Sequence, residues 1–205
     1  AERLGADILS IITPSFAVAS QQELYDHYCA VAAHVDTPIV LYNIPARTGN
    51  KLLPETVCRL AKDVEVIKGA KDSSGDWENL KAYIQLTKDL DFSVLSGNDS
   101  LILPALKEGG VGGIAGCSNV YPKVLSSIYE LFQEGKLDEA QAAQDSIASF
   151  RAVFKYGNPN TVVKTAVAML GYNVGKCRAP FNQLPQEGLE ALEKVLQENK
   201  DKGMC

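Results

Sequence analysis

The sequence lacks the features that mark several large classes of protein. Its 205 residues include only two histidines and one tryptophan, and no two basic residues are adjacent. A net charge of −5 without a basic cluster argues against nucleic acids and anionic membrane surfaces. No apolar run reaches membrane-spanning length, and no stretch has the pattern of a signal peptide. We therefore expect neither nucleic acid nor membrane among the partners.

Cysteine is also scarce, and its spacing follows no motif. The five cysteines are an odd number without a CxxC pair, which is typical of reduced thiols in a cytoplasmic protein. With only His27 and His34 and no close Cys/His cluster, we expect no metal site. The cysteines are Cys29, Cys58, Cys117, Cys177 and Cys205.

Apolar strand-like runs alternate with helix-like segments in the first part of the chain. Five such units with short loops predict an α/β fold with a parallel sheet. A complete (β/α)8 barrel needs eight units and roughly 250 residues, so the chain forms either an open sheet or part of a barrel. The opening residues 1–7 resemble the end of a helix running into a strand, which favours the C-terminal part of a longer barrel. The predicted strands are 6–13, 38–41, 64–70, 92–95 and one within 109–116; the predicted helices are 20–33, 54–62, 76–88, 101–108, 122–134, 137–154, 161–170 and 185–198.

Two short motifs follow neighbouring strands. Residues 42–49 read YNIPARTG after the second strand, and residues 69–76 read GAKDSSGD around the end of the third. Because parallel strands end at the same edge of a sheet, Tyr42, Arg47 and Lys71 are expected to meet there. A lysine beside a tyrosine at such an edge indicates Schiff-base chemistry on a keto acid.

Each of these side chains also has a simpler interpretation. Lys71 has to attack as a neutral amine in a sheltered site, yet it could equally extend along the strand exit to water. Tyr42 could carry protons or only pack its ring. Arg47 could bind a carboxylate or form a surface ion pair contributing ~0–1 kcal/mol. Lys68, three residues before Lys71, is expected on the opposite face and serves as an internal control.

Other candidates are weaker. The residues after Lys71, from Asp72 to Ser74, could bind a ligand or cap the following helix. The glycines of 109–116 half-match a dinucleotide loop, but no helix start and no acidic residue follow at the right distance. We therefore expect no cofactor.

Together the two motifs resemble the dihydrodipicolinate synthase / N-acetylneuraminate lyase family of class I aldolases. The family pattern is Y-N-x-P-x-x-[ST]-G, then G-x-K about twenty residues later, and further matches occur at 52–57, 96–99, 109–120 and 158–159. The resemblance implies a (β/α)8 TIM barrel with extra C-terminal helices, usually a homotetramer. Residues 1–120 would be the C-terminal portion of the barrel, about strands 4 to 8. Residues 121–205 would be its last helix and a helical extension. We expect such a chain alone to leave the barrel open and inactive.

The resemblance also implies roles for individual residues. Lys71 would form the imine with pyruvate and Tyr42 would relay protons. The protonated imine is itself the electron sink, so neither metal nor cofactor is needed. The substrate-binding residues would be Arg47, Gly97, Asp99 and Ile114, the last through its carbonyl.

Within the family, Arg47 favours 4-hydroxy-tetrahydrodipicolinate synthase, which joins pyruvate to aspartate semialdehyde in lysine biosynthesis. Sialic acid lyases carry an aspartate, a glutamate and a serine where this chain has Asp99, Ser100 and Gly116. Phe16, however, stands where synthases usually offer a tyrosine to the neighbouring subunit. Three alternatives therefore stay open: an aldolase or dehydratase acting on a sugar acid or another 2-keto acid, a non-catalytic keto-acid-binding protein, and a flavodoxin-like open sheet.

Overall fold

The computed structural model describes residues 1–204 in two compact units, the first ending at Ile114 and the second starting at Ala115. The first unit contains a five-stranded parallel sheet in which each strand pairs with the next one in sequence. A doubly wound sheet reverses direction at a switch point, whereas this order advances steadily, as in the wall of a (β/α)8 barrel. The strand order therefore excludes the flavodoxin-like alternative. The strands are β1 (Leu9–Ile12), β2 (Ile39–Asn43), β3 (Ile67–Asp72), β4 (Ser93–Ser96) and β5 (Gly112–Gly113).

The helices of the first unit begin at recognisable signals. The Ser20 hydroxyl accepts the backbone N–H of Glu23, whose carboxylate accepts the Ser20 N–H at 2.7 Å, so the predicted capping box is confirmed. Pro54 opens one helix, and the Asp76 side chain caps another. These helices are α1 (Gln21–Ala32), α2 (Pro45–Thr48), α3 (Pro54–Asp63), α4 (Trp77–Thr87) and α5 (Ile102–Lys107), with 3-10 turns at Glu2–Leu4 and Asp99–Leu101.

The core of the first unit lies against one face of the sheet. Ile39 and Leu41 of β2 enter it with the two-residue period expected of a strand, and Ile67 and Ala70 of β3 enter it on either side of a register shift. Strand β2 is also buried on its other face at Val40, which is 9% exposed, so its predicted two-sided burial is confirmed. The largest fully buried core side chains are Tyr28, Tyr83, Leu24, Ile39, Leu41, Leu52, Leu60, Ile67 and Leu80.

Two of these core residues are tyrosines whose hydroxyls are satisfied internally. Tyr28 donates to the Ile11 carbonyl at 3.1 Å, and Tyr83 donates to the Leu52 carbonyl at 2.6 Å. Burial raises the pKa of both phenols above its ordinary value. Both therefore stay protonated and serve as structural donors rather than as acids.

The second unit is helical. Asn199 donates from its buried amide to the Tyr121 hydroxyl at 2.9 Å, and the Tyr121 ring meets Phe150 edge to face at 5.3 Å between centroids. Its elements are α6 (Pro122–Gln133), α7 (Leu137–Ser146), α8 (Ala148–Arg151), α9 (Pro159–Met169) and α10 (Gln186–Asp201), with 3-10 turns at Gly116–Asn119 and Ala152–Tyr156.

One predicted helix is wrong. The sequence pattern predicts a single helix over 137–154, but the chain leaves regular α geometry at Ile147 and ends in a 3-10 turn. Ile147, Phe150 and Val153 are all buried at intervals of three residues. A three-residue spacing suits the tighter winding of a 3-10 segment better than the 3.6-residue α period.

Residues 1–204 contain neither a membrane-spanning helix nor a metal-binding cluster. No helix within residues 1–204 is long and apolar enough to cross a bilayer. No three His, Cys, Asp or Glu side chains of that range form a group that could hold a metal ion. The four described cysteines form no disulfide, and Cys205 lies outside the described residues.

Candidate active site

The register of β2 and β3 brings the two sequence motifs side by side. Tyr42 is the direct partner of Lys71 across the two strands. The Lys71 Nζ lies 3.9 Å from the centroid of the Tyr42 ring, and both side chains are half-buried. Each residue is the last but one of its strand, so the pair lies at the carboxyl edge of the sheet, where α/β proteins place their sites.

Lys68 occupies a different environment. Its amine lies 2.8 Å from the Asp91 carboxylate, which raises the pKa of Lys68. The register shifts between Ile39 and Val40, so Lys68 has no partner on β2. Lys71 therefore faces Tyr42, and Lys68 is held as an ammonium in an exposed ion pair.

Gly97 lies against the Lys71 side chain. A Cβ at this position would be 2.8 Å from the Lys71 Cε and would also overlap the Ser73 hydroxyl oxygen. No ordinary residue fits such a space, because real Cβ contacts are longer than 3 Å. The absence of a side chain at Gly97 is therefore what leaves room for the lysine stem.

At the carboxyl edge, three backbone hydrogen bonds extend the ladder from β2 to β5 beyond the regular strands. They tie the first residues of each exit loop to the neighbouring strand, so the loops begin in fixed positions. The bonds run from Ser73 N to Asn43 O (2.8 Å), from Gly97 N to Asp72 O (2.7 Å) and from Ile114 N to Ser96 O (2.8 Å).

The remaining candidates lie on these strand exits. Arg47 is an exposed residue of α2, and its guanidinium forms no ion pair within residues 1–204. Asp99 opens the 3-10 turn after β4 and is 6% exposed. Ile114 follows β5, with its side chain 47% exposed. The structure thus brings Tyr42 and Gly97 against Lys71 and leaves the others around the same edge.

A layer of buried polar groups on the helix side of the strand ends was not predicted from the sequence. Asp72 is 2% exposed, and its carboxylate accepts from the Ser74 N–H and the Asn79 amide, both at 2.6 Å. Asn43 is 1% exposed and accepts from the Leu52 N–H at 3.0 Å. The sequence did contain a signal for Asp72. Because side chains alternate along a strand, the residue after a lysine that faces the site must face the helices.

A second buried network, also not predicted, holds the loop after β1. The Thr13 hydroxyl donates to the Thr48 hydroxyl at 2.9 Å, and both residues are buried. Within this loop Phe16 is 99% exposed and has a φ of 82°, the only positive φ of a non-glycine residue in the described chain. The Asn50 side chain binds Pro14 O at 2.9 Å, Ala17 O at 2.8 Å and Ala19 N at 2.7 Å.

The glycine-rich stretch before Ile114 has a packing role. A Cβ on Gly113 would lie 2.7 Å from the Ile102 side chain, so this glycine allows α5 to pack on β5.

Comparison with known proteins identifies the family. The model of the dihydrodipicolinate synthetase family matches residues 1–199. The chain belongs to this family. A curated relative from Methanospirillum hungatei, named 4-hydroxy-tetrahydrodipicolinate synthase, is 38% identical over 197 residues, which cover 96% of this chain and 67% of the relative. The predicted family and the predicted class of enzyme are confirmed.

Two solved structures from the family have the same fold as this chain. Dihydrodipicolinate synthase from Thermotoga maritima matches with a TM-score of 0.92 and 31% identity, covering 97% of this chain and 68% of that one. A prophage family member from E. coli K12, solved in complex with pyruvate, matches with a TM-score of 0.90 and 26% identity, covering 100% and 69%. The chain thus spans about two thirds of the length of its relatives, and the predicted fold, part of a (β/α)8 barrel with C-terminal helices, is confirmed.

Proposed function

We propose that this chain carries the Schiff-base site of a 4-hydroxy-tetrahydrodipicolinate synthase, which condenses pyruvate with aspartate semialdehyde. The observation that carries the proposal is the amine of Lys71, 3.9 Å from the Tyr42 ring centroid at the carboxyl edge of a parallel sheet. The names of the curated relatives and the pyruvate complex of the E. coli family member support the choice of substrates.

In the proposed reaction Lys71 attacks the ketone carbon of pyruvate. The resulting carbinolamine loses water to give a protonated imine, which draws electrons from the adjacent methyl group. Loss of a methyl proton then yields an enamine, whose carbon adds to the aldehyde. Lysine suits this role because its long stem reaches into the site while the backbone stays in the sheet.

Tyr42 is the proposed proton carrier. Its ring lies beside the Lys71 amine, so its hydroxyl belongs to the same half-buried site. A phenol near the carbinolamine oxygen can donate the proton that leaves with water and later accept one.

Arg47 is the proposed ligand for the carboxylate of the aldehyde. Its guanidinium is exposed and forms no ion pair within residues 1–204, so its planar fork is available for a bidentate contact. Around the same edge we assign substrate contacts to Gly97, Asp99 and the Ile114 carbonyl. None of these three groups is positively charged, so we expect them to shape the site rather than to bind a substrate carboxylate.

A second candidate function is favoured by Phe16. It retains an aromatic ring but lacks the hydroxyl that family synthases usually present, which weakens the case for the full synthase proton relay. An aldolase or dehydratase of the family acting on a sugar acid or another 2-keto acid would keep Lys71 and Tyr42 in the same roles. A keto-acid-binding member without catalysis is the third candidate, against which the preserved lysine argues.

We further propose that the protein assembles as a homo-oligomer, a dimer or tetramer, in the cytoplasm. The exposed Phe16, held at an unfavourable backbone angle, supports an aromatic contact with a second copy.

We also propose a division of the chain within the barrel. Residues 1–120 would supply barrel strands 4 to 8, and residues 121–205 would supply the last barrel helix and the helical extension.

Borohydride trapping with pyruvate on the full-length protein tests the function. We expect a pyruvyl adduct on the peptide that contains Lys71 and none in Lys71→Ala. Lys68→Ala is the matched control, since Lys68 lies three residues away in the same strand and should leave the adduct unchanged. An adduct that persists in Lys71→Ala would refute the assigned site, and no adduct at all would favour the binding protein. A panel of aldehydes, including aspartate semialdehyde, then separates the synthase from the aldolase.

A further inference from the structure

Asp72 immediately follows Lys71, yet the proposed reaction assigns it no role. Its carboxylate is 2% exposed, and no lysine, arginine or histidine within residues 1–204 forms an ion pair with it. Burying an acidic group without a cation is unfavourable unless hydrogen bonds compensate. An asparagine would avoid that penalty, so stability alone does not explain an acid at this position.

The hydrogen bonds of Asp72 converge from the whole exit of β3. One oxygen accepts from the Ser74 N–H and the other from the Asn79 amide, each at 2.6 Å. Asn79 is itself in the first turn of α4, where its own N–H binds the capping Asp76 at 3.2 Å. The Asp72 carbonyl accepts from Gly97 N at 2.7 Å, which ties the same residue to the exit of β4.

This anchoring bears directly on the lysine. Successive strand residues point to opposite faces, so holding the Asp72 side chain among the helices holds the Lys71 side chain toward the site. The Lys71 stem packs over Gly97, and its amine lies against the Tyr42 ring. A lysine side chain has many accessible rotamers, so its direction depends on how firmly its backbone is held.

We propose that Asp72 is a positioning residue for Lys71, which acts by fastening the end of β3 to the start of α4 and to the exit of β4. The proposal rests on the proposed imine-forming role of Lys71. It assigns a function to the acidic residue of the second motif and makes Asn79 its required partner. It predicts that the orientation of the hydrogen bond between Asp72 and Asn79 can be reversed without loss, whereas the bond itself cannot be removed.

The test compares Asp72→Asn with the exchanged pair Asp72→Asn/Asn79→Asp in the full-length protein. Asp72→Asn keeps an acceptor for Ser74 but sets one amide N–H₂ group against another. The exchanged pair restores a donor and a carboxylate in reverse order, and it places an acid in the first turn of α4, where the helix dipole favours it. The rate of pyruvyl adduct formation on Lys71 is measured against pyruvate concentration, with the thermal midpoint recorded for each protein.

We expect Asp72→Asn to slow trapping at saturating pyruvate by about tenfold, since small misplacements of a reacting group have effects of that order or larger. The apparent pyruvate affinity should change less, and the exchanged pair should return to within about threefold of the parent rate. Ser20→Ala is the control, because it removes the capping box of α1 without touching Asp72, Asn79 or α4, and it should lower the midpoint but not the trapping rate.

Three results would overturn the proposal: parental trapping in Asp72→Asn, a folded exchanged pair that fails to recover, or an equal loss of rate in Ser20→Ala. If Asp72→Asn does not fold, the exchanged pair alone decides. A parent protein that gives no adduct on Lys71 would refute the proposed function as well, whereas a parental adduct with an unaffected Asp72→Asn would refute only the role of Asp72.

Discussion

At the scale of single residues, the site depends on the absence of a side chain at Gly97 as well as on the side chains of Lys71 and Tyr42. Lys71 reaches Tyr42 because Gly97, on the neighbouring strand exit, offers no side chain in the way. The space is shared with the Ser73 hydroxyl, so two side chains from the β3 exit lie over one glycine. The position is thus constrained by close packing rather than by backbone conformation.

Gly97→Ala should therefore abolish most of the imine formation. The new methyl group would lie 2.8 Å from the Lys71 Cε, and moving the lysine by about 1 Å is expected to reduce trapping about 100-fold. The measurement is the rate of borohydride-trapped pyruvyl adduct. Adding Ser73→Ala should recover part of the rate, because it removes one of the two clashes.

Gly135→Ala provides the comparison for stability. Its φ of 73° strains any side chain, yet nothing lies within 4 Å of the added Cβ. It should lower the free energy of unfolding by about 1 kcal/mol and leave trapping unchanged.

For the prediction on Gly97, equal trapping rates in Gly97→Ala and the parent would contradict it, because they would mean that the lysine has room to move aside.

At the scale of elements, the exits of neighbouring strands are fastened to the starts of the following helices. Asp76 caps α4 through the Asn79 N–H and also pairs with Lys51, which precedes α3, at 2.9 Å. Both contacts hold the pKa of Asp76 below its usual value, with the Lys51 bond the larger cause. The Lys51 and Asp76 side chains are 41% and 45% exposed, so solvent screens their ion pair and it contributes little to stability. The helix cap therefore accounts for most of the stabilisation by Asp76.

Asp76→Ala should lower the free energy of unfolding by about 1 kcal/mol at neutral pH through loss of the cap. Because the pKa of Asp76 is lower in the folded state, its contribution is complete above the unfolded value near 3.9 and is lost as the pH falls through the folded value. Urea unfolding of parent and variant should therefore differ at about pH 7 and converge at about pH 2. A difference that stays constant with pH would show that the lost contribution does not involve the charged carboxylate.

At the scale of the whole molecule, the loop after β1 exposes an aromatic side chain that does not contribute to the folding of a monomer. Phe16 is almost fully exposed at a φ of 82°, while Asn50 binds the loop around it with three side-chain hydrogen bonds. An aromatic residue at a positive φ costs about 1–2 kcal/mol and persists only where its surroundings enforce it. A rigidly presented ring is what a contact between copies requires, which is the reason for the proposed assembly.

Phe16→Gly should separate folding from assembly. Glycine relieves the backbone strain, so the free energy of unfolding of the dissociated chain should rise by about 1 kcal/mol, while the oligomer should weaken. Sedimentation equilibrium of the full-length protein measures the assembly. Phe16→Tyr keeps both the ring and the strain and should assemble as the parent does. An unchanged oligomer in Phe16→Gly would exclude this loop from the interface.

Local sequence signals determined the family, the order of the strands and helices, and the pairing of Tyr42 with Lys71. These features could be predicted because strand alternation, helix caps and two motifs at consecutive strand ends depend only on neighbouring residues. The broken helix at Ile147 could not, since its cause is burial at three-residue intervals within the second unit.

The buried carboxylate of Asp72 and the clearance above Gly97 were likewise decided by tertiary structure. Asp72 finds Asn79 seven residues away only once α4 folds back on the sheet, and Gly97 meets Lys71 only through the pairing of β3 with β4. Sequence patterns identify which residue types carry the chemistry. Which groups share a space depends on strand register and helix packing, because those bring together residues that are distant along the chain.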